Sequence, residues 1–195
     1  MFFLLHRIFF VMTLLGISVL SANDLQQQRL RSMIDATLDV LYCTADLSYD
    51  EKQLQIRTIF ENNYDFNVMI RRAIGRNWRL MSNSEQVRVL ELVRQLVLKA
   101  YIKALDGKDR PVVNLGEAVL VSDKRMEIES TVLLEEQKIY ILYRLAHMRS
   151  GWQICDIVAE SSISVVSNYR QQFDDHFRKG SGVELITRLE NLLKK

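Results

Sequence analysis

One proline and seven glycines in 195 residues leave no stretch with the composition of a flexible linker, so the chain reads as one domain. Three histidines give it little capacity to move protons near neutral pH. Its two cysteines, Cys43 and Cys155, cannot supply the tetrahedral ligand set of a metal site. Spacing leaves them open to two readings, one disulfide tying the first helix to the last strand or two buried free thiols. No glycine-framed serine, glycine-rich phosphate loop, metal-binding helix pair or redox-spaced cysteine pair occurs. Basic and acidic residues nearly balance, 26 against 24, and are mixed along the chain, which disfavours a nucleic-acid partner.

An enzyme is hard to build from what is left. A cysteine hydrolase would need Cys155 as nucleophile with a distant histidine, yet the neighbouring Asp156 works against a thiolate. His147 falls in a predicted hairpin turn, and His176 follows Asp174 and Asp175 at helical steps that do not face each other. No cofactor is expected.

The N-terminal stretch "MFFLLHRIFFVMTLLGISVLSAND" has one firm positive charge at Arg7, an apolar run from Ile8 to Leu20 and small residues at Ser21 and Ala22. This is the pattern of a secretory signal peptide over residues 1–22, with cleavage after Ser21 or Ala22 and a mature domain over 23–195. The run falls short of the ~20 residues of a spanning helix, which disfavours an uncleaved anchor.

Two kinds of periodicity divide the mature part. Leu30, Ile34, Leu38 and Leu41 recur on one helical face, "SYDE" at Ser48 to Glu51 opens a second helix with a capping box, and Asp65 caps a third that stops near Gly75. "SNSE" from Ser82 opens the longest helix, apolar at Val89, Leu92, Val93, Leu96, Ala100 and Tyr101. After "DGKDRP" the period changes to two. Met126, Ile128, Ser130, Val132 and Leu134 alternate with a wetter face, and "KIYILYRLA" and "GWQICDIVAE" continue a meander that Val112 to Val121 begins. A helix from Ser164 to about Arg178 and another through Leu185, Ile186, Leu189 and Leu192 close the chain. Such a sheet has one apolar face that the helices must cover. Basic side chains gather at Arg71, Arg72, Arg76 and Arg79 around Trp78, a set that fits lipid headgroups or an acidic partner, or a solvated helix face with salt bridges.

Together these segments resemble the MlaC family of periplasmic phospholipid-carrying proteins, also called toluene-tolerance proteins. The resemblance rests on the aromatic-Asp-Phe step at Tyr64 to Phe66, Gly75 to Trp78 with Gln86 following, Tyr143 to Leu145, the Gly-Trp strand with Asp156, and "SNYRQQF" from Ser167. These features follow the family's order from Asp24 to Lys195. The pattern is broken at Ser161 and Ser162, one residue more than the family has, which a bulge can absorb.

The resemblance implies an α+β, NTF2-like fold: a helical layer packed on a curved antiparallel four-stranded sheet, enclosing an apolar pocket. It further implies a non-catalytic periplasmic carrier that exchanges phospholipid with an outer-membrane lipoprotein complex and an inner-membrane Mce-type ABC transporter, supporting outer-membrane lipid asymmetry. A two-chain lipid with about thirty methylenes faces on the order of 20 kcal/mol to enter water bare, so both tails must be hidden. The residues expected to line the pocket are Phe66, Met69, Val97 and Tyr101 on helices, Val132, Leu134, Ile141, Tyr143 and Ile157 on strands, and Val166, Tyr169 and Phe173 on the closing helix. Hairpin register does not fix which sheet face lines it. The rival is a periplasmic interaction or chaperone module with the same fold, a filled core and no lipid cargo.

Overall fold

The computed structural model describes residues 22–43, 46–159 and 163–194. The signal-peptide reading falls outside these residues apart from Ala22, and so do Ser161 and Ser162.

The helices begin where side-chain oxygens can meet orphan backbone donors. Helix α1 spans Ala22–Tyr42 and α2 spans Tyr49–Asn63. At the start of α2, Ser48 accepts from the Glu51 backbone while the Glu51 carboxylate accepts from the Ser48 N–H, a complete capping box. Asp65 caps α3 (Phe66–Ile74) through the Val68 N–H at 2.9 Å. Gly75 ends that helix at φ 62° and ψ −133°, a conformation a side chain would strain, and a 3₁₀ segment runs on to Leu80. Helix α4 (Asn83–Leu105) has its capping box at Ser82 and Glu85.

Four long strands follow, β1 (Val112–Ser122), β2 (Arg125–Leu134), β3 (Gln137–Met148) and β4 (Gly151–Ala159), paired antiparallel in chain order. These are the four strands expected, and the two-residue β5 (Ile163–Ser164) adds a short edge pairing to β4. Then come α5 (Val165–Phe177) and α6 (Gly182–Leu193), the latter opened by a third capping box at Ser181 and Glu184.

The register of β4 contains a bulge at Cys155. Arg144 pairs with Asp156 and Leu145 with Ile154, so Cys155 has no partner on β3. Ile154 and Ile157, three apart, are thereby brought to the same face as Leu145 and Tyr143.

That inner face has two kinds of cover. Over one part, Leu30, Met33, Ile34 and Leu38 of α1 pack on Met126, Ile128, Leu145 and Ile154. A second core, built from α2 to α6 with Val40 at the end of α1, contains Ile56, Ile74 and Val89 at 0% exposure. Full burial of such side chains is worth about 1.5–3 kcal/mol each, which is what holds helices of modest amphipathicity in place. Tyr64 and Ile59 touch both cores, and an unfilled space lies where the two meet.

Candidate functional site

The space is a cavity of about 250 Å3 between the helices and the sheet. Helix α3 offers Phe66, Met69, Ile70 and Ala73, the three- and four-residue steps of one helical face. Helix α4 offers Val93, Val97 and Tyr101 at steps of four, and α5 offers Val165, Val166, Tyr169 and Phe173. From the sheet come Ile141 and Tyr143, alternate residues of β3, and Ile157, which pairs with Tyr143. Phe60 and Tyr64 close the wall at the end of α2, and no lining side chain carries a formal charge.

Aromatic rings make the wall at that end stiff. Phe60 lies 5.1 Å from both Tyr64 and Tyr101, and Tyr64 stacks on Phe66 at 5.4 Å. Burial raises the phenol pKa of Tyr64 well above its ordinary value, raises that of Tyr101, and pushes that of Tyr143 up to about 12. All three phenols are therefore neutral at physiological pH, and the cavity, which Tyr169 also lines, has no charged side chain in its wall.

Ten of the twelve residues expected from sequence line this one cavity: Phe66, Met69, Val97, Tyr101, Ile141, Tyr143, Ile157, Val166, Tyr169 and Phe173. Val132 and Leu134 do not. They lie on the inner face, since Val132 pairs with Ile139 and Ser130 with Ile141, but on β2, which contributes no residue to the cavity wall. Phe60, Tyr64, Ile70, Ala73, Val93 and Val165 were not anticipated as lining. Val93 is visible in the sequence only as a member of a core stripe, and a stripe does not reveal which of its members meets a void.

The chain around α5 holds the cavity's fourth wall. Asn77, buried in the 3₁₀ segment, donates to Asp174 at 2.6 Å, and the Arg170 guanidinium donates to the Arg72 carbonyl. Gly75 leaves room there: a Cβ would stand 3.5 Å from Arg170 Nε. Arg71 stacks over Trp78 at 5.4 Å, and none of Arg71, Arg72, Arg76 and Arg79 forms an ion pair among the described residues.

The residues considered for catalysis are scattered. Cys43 and Cys155 are both free, the first exposed and 3.3 Å from Arg110 Nη1, the second buried in β4. Burial pushes the Cys155 thiol pKa up, Arg72 draws it back, and Asp156 adds to the rise. His147 is on β3 rather than in the turn, edge-on to Trp152 at 5.2 Å, while His176 Nε2 lies 3.0 Å from the Ser181 carbonyl oxygen. Among the described residues no cluster of three His, Cys, Asp or Glu is placed to hold a metal ion, and no helix is long and apolar enough to cross a membrane.

The architecture has a counterpart among solved structures. The phospholipid-binding protein of Ralstonia solanacearum, solved in complex with a phospholipid, superposes with a TM-score of 0.76 at 21% identity, covering 86% of this chain and 96% of that one. A cystatin-like domain of unknown function from Nostoc punctiforme aligns at a TM-score of 0.39 and 15% identity, over 90% and 99% of the two chains, too distant to carry an argument. No curated protein matches the sequence. The family model of the MlaC protein matches residues 31–191, which take in every wall of the cavity, and the chain belongs to the MlaC family.

Proposed function

We propose that this protein is a periplasmic phospholipid carrier, a binding protein rather than an enzyme, that takes acyl chains between its helices and its sheet. The observation that carries the reading is the uncharged cavity where the two cores meet. An apolar space bordered by flat and flexible side chains favours a hydrocarbon chain and offers little to a polar substrate. The Ralstonia protein of the same fold binds phospholipid, which supports the same cargo here. A module with a filled core does not account for the space. In this reading the carrier receives lipid from, or delivers it to, an outer-membrane lipoprotein complex and an inner-membrane Mce-type ABC transporter, and so supports outer-membrane lipid asymmetry.

Loading in this reading goes through a shift of the helical layer against the sheet, which opens the space to the tails and leaves a widened and a contracted state. Release at a partner is then a matter of differential affinity between the widened and the contracted state. The test is native mass spectrometry of the mature protein purified without added lipid, followed by extraction. Co-purified phospholipid near one-to-one is the expected result; a lipid-free protein that also accepts none from vesicles would overturn the carrier.

A further inference from the structure

Between Asp65 and Glu85 the chain has four arginines, no lysine and no acid, although the whole chain nets only +2, so the remainder is net negative. Helix α3 sorts part of this stretch into two sides. Phe66, Met69, Ile70 and Ala73 are buried where they line the cavity, while Arg71 and Arg72 are exposed. Val68, Arg71, Arg72, Gly75, Trp78 and Arg79 border one open hollow on the outside. In the 3₁₀ segment residues three apart eclipse, which puts Arg76 beside Arg79. Among the described residues no side-chain hydrogen bond or ion pair engages Arg76 or Arg79. The acid that α5 brings against the segment, Asp174, already accepts from Asn77 at 2.6 Å. Leu80, next to Arg79, is 69% exposed, and Trp78 is half-buried with Arg71 over its ring.

We infer that this face docks the protein on an anionic phospholipid membrane, with the arginines on lipid phosphates and Trp78 and Leu80 at the acyl boundary. The inference goes beyond the cargo of the carrier reading and does not depend on it. Guanidinium forks take phosphate oxygens in pairs, and tryptophan and leucine beside basic residues are the composition of a membrane–water interface. An acidic protein surface would use the charges and leave Leu80 in the wrong company; a membrane surface takes both. The net-negative remainder of the chain gives the approach one orientation, arginines first. Docked in this way, the helix that walls the cavity lies against the headgroups.

The test is co-sedimentation of the full mature protein with large vesicles in about 0.1 M salt, phosphatidylglycerol mixed with phosphatidylcholine against phosphatidylcholine alone. Cargo uptake leaves the protein in the supernatant, so pelleting reads docking and not carriage. The parent should pellet with the anionic vesicles, not with the zwitterionic ones, and less as salt rises. One basic side chain near such a surface is worth about fivefold in affinity, so Arg76→Gln with Arg79→Gln should weaken pelleting about 25-fold. Leu80→Ser should weaken it several-fold. All three positions are exposed, and circular dichroism verifies the fold of the variants. A parent that pellets equally with both vesicles, or with neither, overturns the inference, and a charge variant that pellets like the parent overturns this face as the dock. An unaltered Leu80→Ser beside an impaired charge variant overturns the contact at the acyl boundary. A parent that ignores anionic vesicles but is held by a poly-glutamate resin overturns the membrane and assigns the arginines to an acidic protein. None of these outcomes touches the carrier reading, which co-purified lipid decides.

Discussion

The Asp156 carboxylate on β4 accepts a hydrogen bond from the backbone N–H of Val166, in the first turn of α5, at 3.3 Å. The same oxygen accepts from the Ile157 N–H at 2.9 Å, and Arg144 lies 3.6 Å from its other oxygen. With Ser164 accepting from the Ser167 N–H at 3.0 Å, two orphan donors of α5 are met, one of them by the sheet. A negative charge at a helix N-terminus is favourable in itself. The strand that supplies Ile157 to the cavity thus also fixes the helix that supplies Val166, Tyr169 and Phe173.

Asp156→Ala should therefore cost about 2 kcal/mol in urea unfolding, since it strands a helix-terminal donor and loosens α5 from β4. Asp156→Asn keeps an acceptor and gives up only the charge, so it should cost roughly half as much. Equal stability of the alanine variant and the parent would show that Ser164 alone holds the helix.

Much of this arrangement was legible in the residues, for local reasons. Ser48 with Glu51 and Ser82 with Glu85 announce helix starts because the capping box is completed within four residues. Met126, Ile128 and Ser130 announce an inner strand face because alternation is a property of the strand alone. The bulge at Cys155 left no such trace. Which residue goes unpaired depends on what β3 offers opposite, and the sequence irregularity at Ser161 and Ser162 pointed elsewhere. The cavity's length was hidden for the same reason. Val132 and Tyr143 share a face of the sheet, but only the packing of α3, α4 and α5 decides that the void lies over Tyr143.

Tyr143 predicts a pH dependence. Its phenol is pushed up to about 12 by burial, against about 10 in an unfolded chain. A folded pKa above the unfolded one means the folded state holds the proton more tightly, so this stability is fully present below about pH 10 and is lost as pH rises toward 12. At about pH 11 the loss should be on the order of 1 kcal/mol relative to about pH 9. Tyr143→Phe lacks the ionising group and should lose less over the same interval, although Tyr64 and Tyr101 still contribute in both proteins. Urea midpoints at the two pH values, with tyrosinate absorbance followed in parallel, decide the matter. Identical pH slopes for parent and variant would show that Tyr143 titrates normally.

Gly75 carries a backbone prediction. At φ 62° and ψ −133° it turns the chain out of α3 beside Arg170, where any side chain is strained by the backbone alone, since a Cβ would stand at ordinary contact distance from Arg170 Nε, 3.5 Å. Gly75→Ala should cost about 1–3 kcal/mol, and thermal unfolding measures it. A variant as stable as the parent would mean that this turn relaxes at no cost, and that the link between α3 and α5 is not rigid.

The extent of the cavity can be tested with one pair of substitutions on one face of the sheet. Ile157 lines the cavity beside Tyr143, whereas Val132 lies beyond it, paired with Ile139. A tryptophan ring directed into 250 Å3 removes a large part of the space, so Ile157→Trp should lower lipid uptake at least tenfold. Val132→Trp places the same ring on the same face outside the cavity and should leave uptake near that of the parent. Far-ultraviolet circular dichroism on both variants separates lost binding from lost fold. If the two substitutions reduce uptake equally, the lipid runs along the whole inner face of β2 and β3, and the boundary at Ile141 belongs to the contracted state alone.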